Sequence, residues 1–144
     1  MPDEVLYAEC CKEAINRDFP MDGKHSIHPY MSCGVAVSAT AYAHLPDRAT
    51  MVWISVITAV LFVIDDNIGG AQDIEHVYHF NERFSSCQPQ GDPALKALDS
   101  LLRETKRHYS PLVSNLIITC ILDYISSVLI DHETKDMQVC YFST

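Results

Sequence analysis

Two aspartates, Asp65 and Asp66, stand side by side in LFVIDDNIGG at residues 61–70, at the end of a long apolar run. No basic residue accompanies them. If the run is a helix, both acids fall in its last turn, where negative charge is unfavourable by about 0.3–1 kcal/mol. The adjacent carboxylates also repel each other. A hard divalent cation offsets both penalties. Mg²⁺ binds through one or two carboxylates, keeps several waters and takes further ligands from substrate phosphates. The pair is therefore a candidate catalytic and metal-ligating rim. An amphiphilic diphosphate suits it, with the head at the metal and the hydrocarbon among apolar side chains below. Thr58, Leu61 and Phe62 precede Asp65 at i−7, i−4 and i−3, on its side of a helix. They are the candidate substrate-pocket residues, with Phe62 as the aromatic. The plainer readings are a solvated helix end for the acids and ordinary core packing for Phe62.

Other constellations are weaker. Asn115, Thr119 and Asp123, at i, i+4 and i+8, would share one helix face, which suits a metal triad. Helix packing and backbone hydrogen bonds are the expected roles of Asn115 and Thr119. His76 and His79 in EHVYH are close enough to share a metal. However, zinc needs three or four ligands with outer-shell partners, and no further pair stands out. A solvated helix face is expected there. Six cysteines without a CxxC pair read as reduced packing residues of a cytoplasmic protein. The acidic start MPDEVLYAEC does not read as a signal peptide.

The elements that must carry these residues are helical. Residues 3–17 have apolar positions at near-helical spacing, with Asp3 as a cap. Residues 18–29 are a loop rich in Pro, Gly and Asp. A second helix starts at Pro29 and runs to about His44. Its small residues Ser32, Gly34, Ala36, Ser38, Ala39 and Ala41 allow close approach of a neighbour. The third runs from about Ala49 to Asn67, with Gly69 and Gly70 as its stop. The fourth spans Asp73–Phe84, the fifth Ala94–Tyr109 and the sixth Pro111–Ile130. No strand pattern competes, so the expected fold is an all-α helical bundle. Residues 49–64 and 112–130 are apolar enough to raise the question of membrane spans. The first is short and ends on two acids, and the second carries Asn115, Asp123 and three serines. Both are expected to be core helices rather than spans.

At 144 residues the chain fits one domain. Its composition is ordinarily globular, 48% hydrophobic and 20% charged. The net charge of −9, from 19 acids against 10 bases, argues against a nucleic-acid partner. An anionic substrate then requires metal ions to bridge it to the acids.

In four stretches, in order, the sequence resembles class I terpene synthases, with the fungal trichodiene synthase group nearest. They are HPYMSCGVAVSATAYAHLPD at 28–47, VIDDNIG at 63–69, FNERFSSCQPQGDPALKALDSLLRE at 80–104 and HYSPLVSNLIITCILDYISS at 108–127. The pair Asp65-Asp66 stands in the place of the family's aspartate-rich motif.

The resemblance implies the all-α isoprenoid synthase bundle, with residues 1–144 as the amino-terminal half of a terpene synthase catalytic domain, truncated. It implies a lyase that ionises an isoprenyl diphosphate, farnesyl diphosphate above all, with Mg²⁺. The carbocation then cyclises in a water-excluded pocket, which makes the enzyme a sesquiterpene cyclase of fungal secondary metabolism. Asp65 matches the first aspartate and is the expected metal ligand. Asp66 matches the second, with a hydrogen-bonding or water-mediated role. Two departures stand out. Gly69 occupies the position where the longer motif has another acid. The family's second metal motif, its diphosphate-sensing arginine and its closing Arg-Tyr pair come from downstream sequence with no counterpart here. The Asn115-Thr119-Asp123 set falls too early and has Asp for Glu. The chain is thus expected to be an inactive fragment that leaves apolar helix faces uncovered, with room for a homo-oligomer. The alternative is a non-catalytic helical remnant or interaction protein derived from a terpene synthase.

Overall fold

A computed structural model describes the backbone of residues 4–41, 47–67 and 71–142, and the side chains of all of these except 71–73 and 135–142. The described residues form seven α-helices, two short 3-10 turns and no strand. The expected cap Asp3 and the glycine stop at Gly69 and Gly70 lie outside them.

The helices are α1 (Glu4–Asn16), α2 (Met31–Ala41), α3 (Arg48–Asn67), α4 (Ala71–Tyr78), α5 (Phe80–Ser85), α6 (Pro93–Arg103) and α7 (Pro111–Phe142). The axis of the bundle is α3. Ten of its residues, from Thr50 to Ile64, are buried, because α1, α2 and α6 all pack on it. The α2–α3 contact depends on small side chains. A Cβ on Gly34 would lie 2.2 Å from the Ser55 carbonyl oxygen, so only glycine lets the two backbones approach this closely. Ser38 completes the seam by donating to the Met51 carbonyl at 3.2 Å.

The ends of α6 are set locally and by α3. Asp92 caps its start, accepting from the Ala94 and Leu95 amides at 2.7 and 3.2 Å, and Pro93 occupies the first turn, where its missing N–H costs nothing. The helix stops at Arg103, short of the expected Tyr109, and a 3-10 turn (Thr105–Arg107) follows. At this stop the indole of Trp53 donates to the Leu101 carbonyl at 2.9 Å.

Three further expectations are corrected. The segment 73–84 is two helices, with a turn at His79 between α4 and α5. The last helix does not end at Ile130 but continues to Phe142, since DHETKDMQVCYF contains no glycine or proline to stop it. The stretch 112–130 is a core helix only in part: Ile125 and Val128 are buried in the core, but most of the helix is not. Of the two helices long and apolar enough to cross a membrane, α3 has 61% of its apolar window buried and α7 only 17%. Leu112, Leu116 and Ile130 of α7 are more than half exposed. The five cysteines with described side chains, Cys10, Cys11, Cys33, Cys87 and Cys120, are free thiols.

Candidate functional site

The end of α3 carries Asp65 and Asp66 into solvent, both exposed. They diverge. Tyr124 of α7 donates its hydroxyl to Asp65 Oδ1 at 3.2 Å. Tyr30, in the 3-10 turn before α2, donates to Asp66 Oδ2. Each phenol is held in its neutral, donating form. The Tyr124 pKa is pushed up to about 12, first by burial and then by the Asp65 charge. Tyr30 is raised mainly by its hydrogen bond to Asp66. Asn67 fixes the loop before α2 to the same helix end, donating to the Lys24 carbonyl at 3.0 Å.

No ion pair reaches either carboxylate among the described residues. Each has one oxygen engaged by a phenol, and the other makes no hydrogen bond among the described residues. Nor do three His, Cys, Asp or Glu side chains converge there as a complete metal site, again among the described residues. The donor set fits Mg²⁺ bound jointly with a phosphate ligand. Hard carboxylate oxygens are present, but too few to strip the ion of water on their own.

The candidate pocket residues occupy an open face. Thr58 is half-buried and its hydroxyl returns to the Ile54 carbonyl at 2.7 Å. Leu61 is half-buried against the core. Phe62 is 41% exposed and stacks on Tyr30, with ring centroids 6.4 Å apart and planes inclined by 14°. Phe62 therefore belongs with Tyr30 and Asp66, while Asp65 faces α7.

The two tyrosines escaped the sequence reading. Tyr30 lies in HPYM, where only family likeness marks it. Tyr124 follows Asp123, one residue off the face that drew attention. Asn115, Thr119 and Asp123 are all exposed. Among the described residues Asn115 and Thr119 show neither the hydrogen bond nor the packing expected of them. Of the two histidines only His79 is solvent-exposed, as expected; His76 is half-buried. The His76 ring packs over Gly91, 2.4 Å from where a Cβ would stand, while His79 sits 3.6 Å from Glu82.

No family model matches the chain. Its homologues are fungal terpene synthases at low identity. It is 27% identical over 139 residues to the alpha-cuprenene synthase COP6 of Coprinopsis cinerea, covering 95% of this chain and 42% of that one. It is 26% identical over 138 residues to the terpene synthase BipA of Cochliobolus sativus, covering 94% and 41%. Monoterpene synthase 25 of Postia placenta matches at 26% over 109 residues, covering 75% and 32%. The chain spans about two-fifths of the length of the first two relatives.

Proposed function

We propose that this chain supplies the first metal-binding rim of a class I terpene synthase of the sesquiterpene type, within the trichodiene synthase group, acting on an isoprenyl diphosphate such as farnesyl diphosphate. One observation carries the reading. Two adjacent carboxylates end the central apolar helix with no ion pair among the described residues, and a hydroxyl from a different part of the fold orients each. Asp65 is the ligand proposed for Mg²⁺, with Asp66 beside it. When bound, Mg²⁺ supplies charge neutralisation for the departing diphosphate. The chain's own residues do the rest. Tyr124 and Tyr30 fix the carboxylate rotamers, so the spare oxygens are presented without reorganisation. Phe62, stacked on Tyr30, offers an aromatic face to a developing carbocation. Thr58 and Leu61 continue that wall toward the core.

The test is calorimetric. Mg²⁺ is titrated into the 144-residue chain with and without inorganic pyrophosphate. Tight uptake is expected only with pyrophosphate present, and Asp65→Asn should abolish it. Tight Mg²⁺ binding without pyrophosphate, or binding that survives Asp65→Asn, would count against the assignment.

A further inference from the structure

The opposite end of α3 holds a second constellation that the reading above does not use. Trp53 lies about 18 Å along the helix from Asp65 at 1.5 Å per residue. It lines a cavity of about 540 Å³ bounded by α1, the start of α3 and the end of α6. At its edge three side chains form a hydrogen-bonded chain. The Thr50 hydroxyl donates to Asp47 Oδ2 at 2.6 Å, and Thr50 Oγ1 lies 2.9 Å from His108 Nδ1.

The proton count fixes the imidazole. A hydroxyl has one proton, and the Thr50 proton is spent on Asp47, so Oγ1 accepts from His108. The ring proton is then on Nδ1, and Nε2 carries the lone pair. Burial holds the His108 pKa below the usual imidazole range, which keeps that lone pair available near neutrality. Nε2 makes no hydrogen bond among the described residues. The ring cannot swing freely, because Trp53 packs on it with centroids 5.4 Å apart. Trp53 is itself anchored to the Leu101 carbonyl.

The charges around the cavity are largely consumed internally. Glu13 and Glu104 both bind Arg17, and Glu9 binds Arg48. Lys12 lines the cavity, is exposed and has no ion pair among the described residues. Beside the Arg107 guanidinium, held by Glu104, and the Asp47 carboxylate, engaged by Thr50, the cavity offers an ammonium group, an imidazole acceptor of fixed tautomer and the apolar surface of Val52, Trp53 and Val56.

We propose that this cavity is a second ligand site, for a small organic acid bearing a hydroxyl donor on an apolar ring. The carboxylate meets Lys12, the hydroxyl donates to His108 Nε2, and the ring lies against Trp53. The site is independent of Asp65.

Trp53 is the chain's single tryptophan, so its fluorescence reports the cavity directly. The probe is 4-hydroxybenzoate, titrated into the 144-residue chain with parallel detection of the His108 ring protons by NMR. A saturable change in both signals is expected. Benzoate lacks the hydroxyl and 4-hydroxybenzamide lacks the charge, and each should bind about tenfold more weakly, the value of one such contact. His108→Phe keeps the ring packing and removes Nε2, and should cost a similar factor. Lys12→Met, on the surface, keeps the test decisive if the histidine variant does not fold. No saturable response at millimolar probe would overturn the site, as would binding that survives Lys12→Met and does not distinguish the three probes.

Discussion

Tyr124 and Asp65 are 59 positions apart, and the phenol of one donates to the carboxylate of the other at 3.2 Å. This contact fastens α7 to the end of α3 and gives the foremost candidate metal ligand a defined rotamer. Tyr124→Phe should therefore leave the helices formed but weaken joint Mg²⁺–pyrophosphate uptake by about tenfold, as expected for one hydrogen bond to a charged group. The same residue makes a separate alkaline prediction. Its folded pKa, about 12, lies above the ordinary value of 10.0, so the folded chain holds the proton more tightly than the unfolded chain does. The resulting stability is complete below pH 10 and is lost as pH rises through 12. Thermal melts between pH 9 and 11.5 should show a shallower decline for Tyr124→Phe than for the parent. Parallel declines would refute the linkage.

The contact between Arg17 and Glu104 predicts the acid limb. Arg17 binds Glu104 with two nitrogens, one of them at 2.6 Å, and holds the Glu104 carboxyl below its usual range. A depressed carboxylate pKa stabilises the fold above its unfolded value and loses that contribution as pH falls through the folded value. Glu104→Gln should cost about 1.5–3 kcal/mol near neutral pH. As pH falls below the ordinary glutamate range the difference from the parent should narrow. Urea unfolding at pH 7 and pH 3.5 measures both; a gap that persists unchanged in acid would contradict the assignment.

Gly34 offers a test of the central seam. Alanine usually favours a helix over glycine by about 0.5–1 kcal/mol. Here the added methyl would meet the backbone oxygen of Ser55 at 2.2 Å, and backbone cannot step aside as a side-chain tip can. The sign should reverse. Gly34→Ala is expected to destabilise by about 1–3 kcal/mol, read as a lower urea midpoint with an unchanged slope. A gain in stability would mean that α2 and α3 are not in contact.

This seam was legible in the sequence because it rests on residue size. Gly34 and Ser38 belong to a run of small residues that marks the helix for close approach. The core role of α3 was legible for a similar reason, an apolar run closed by acids. The break at His79 was hidden because Ile74, Val77 and Phe80 are buried on both sides of it. A hydrophobic period survives a single turn residue. The early end of α6 was hidden because it coincides with a partner 48 positions away, the Trp53 indole on Leu101. The site divides in the same way. Two adjacent acids announce themselves, whereas the phenols that orient them come from positions 30 and 124, and no local spacing links those to residue 65.

The last prediction concerns turnover. The 144-residue chain by itself is expected not to convert farnesyl diphosphate. Ionising an allylic diphosphate requires the leaving group's charge to be neutralised as the bond breaks. Asp65 and Asp66 can contribute to one side of a metal cluster, and no complete ligand set converges there among the described residues. Losing a single preorganised donor commonly costs about a hundredfold or more in rate, and an opposing set of ligands and basic donors would have to come from elsewhere. The open face at Phe62, 41% exposed, also admits water, which quenches carbocations and screens charge. The exposed apolar side chains of α7 add a physical consequence, because Leu112, Leu116 and Ile130 present a surface of the kind that drives association. Sedimentation at rising concentration should show self-association, reduced by Leu112→Gln with Leu116→Gln. Purified chain incubated with farnesyl diphosphate and Mg²⁺ should yield no cyclic product in the volatiles. A defined cyclic terpene, lost on Asp65→Ala, would show that these residues complete a site by themselves, and its loss on Leu112→Gln with Leu116→Gln would show that paired copies build it.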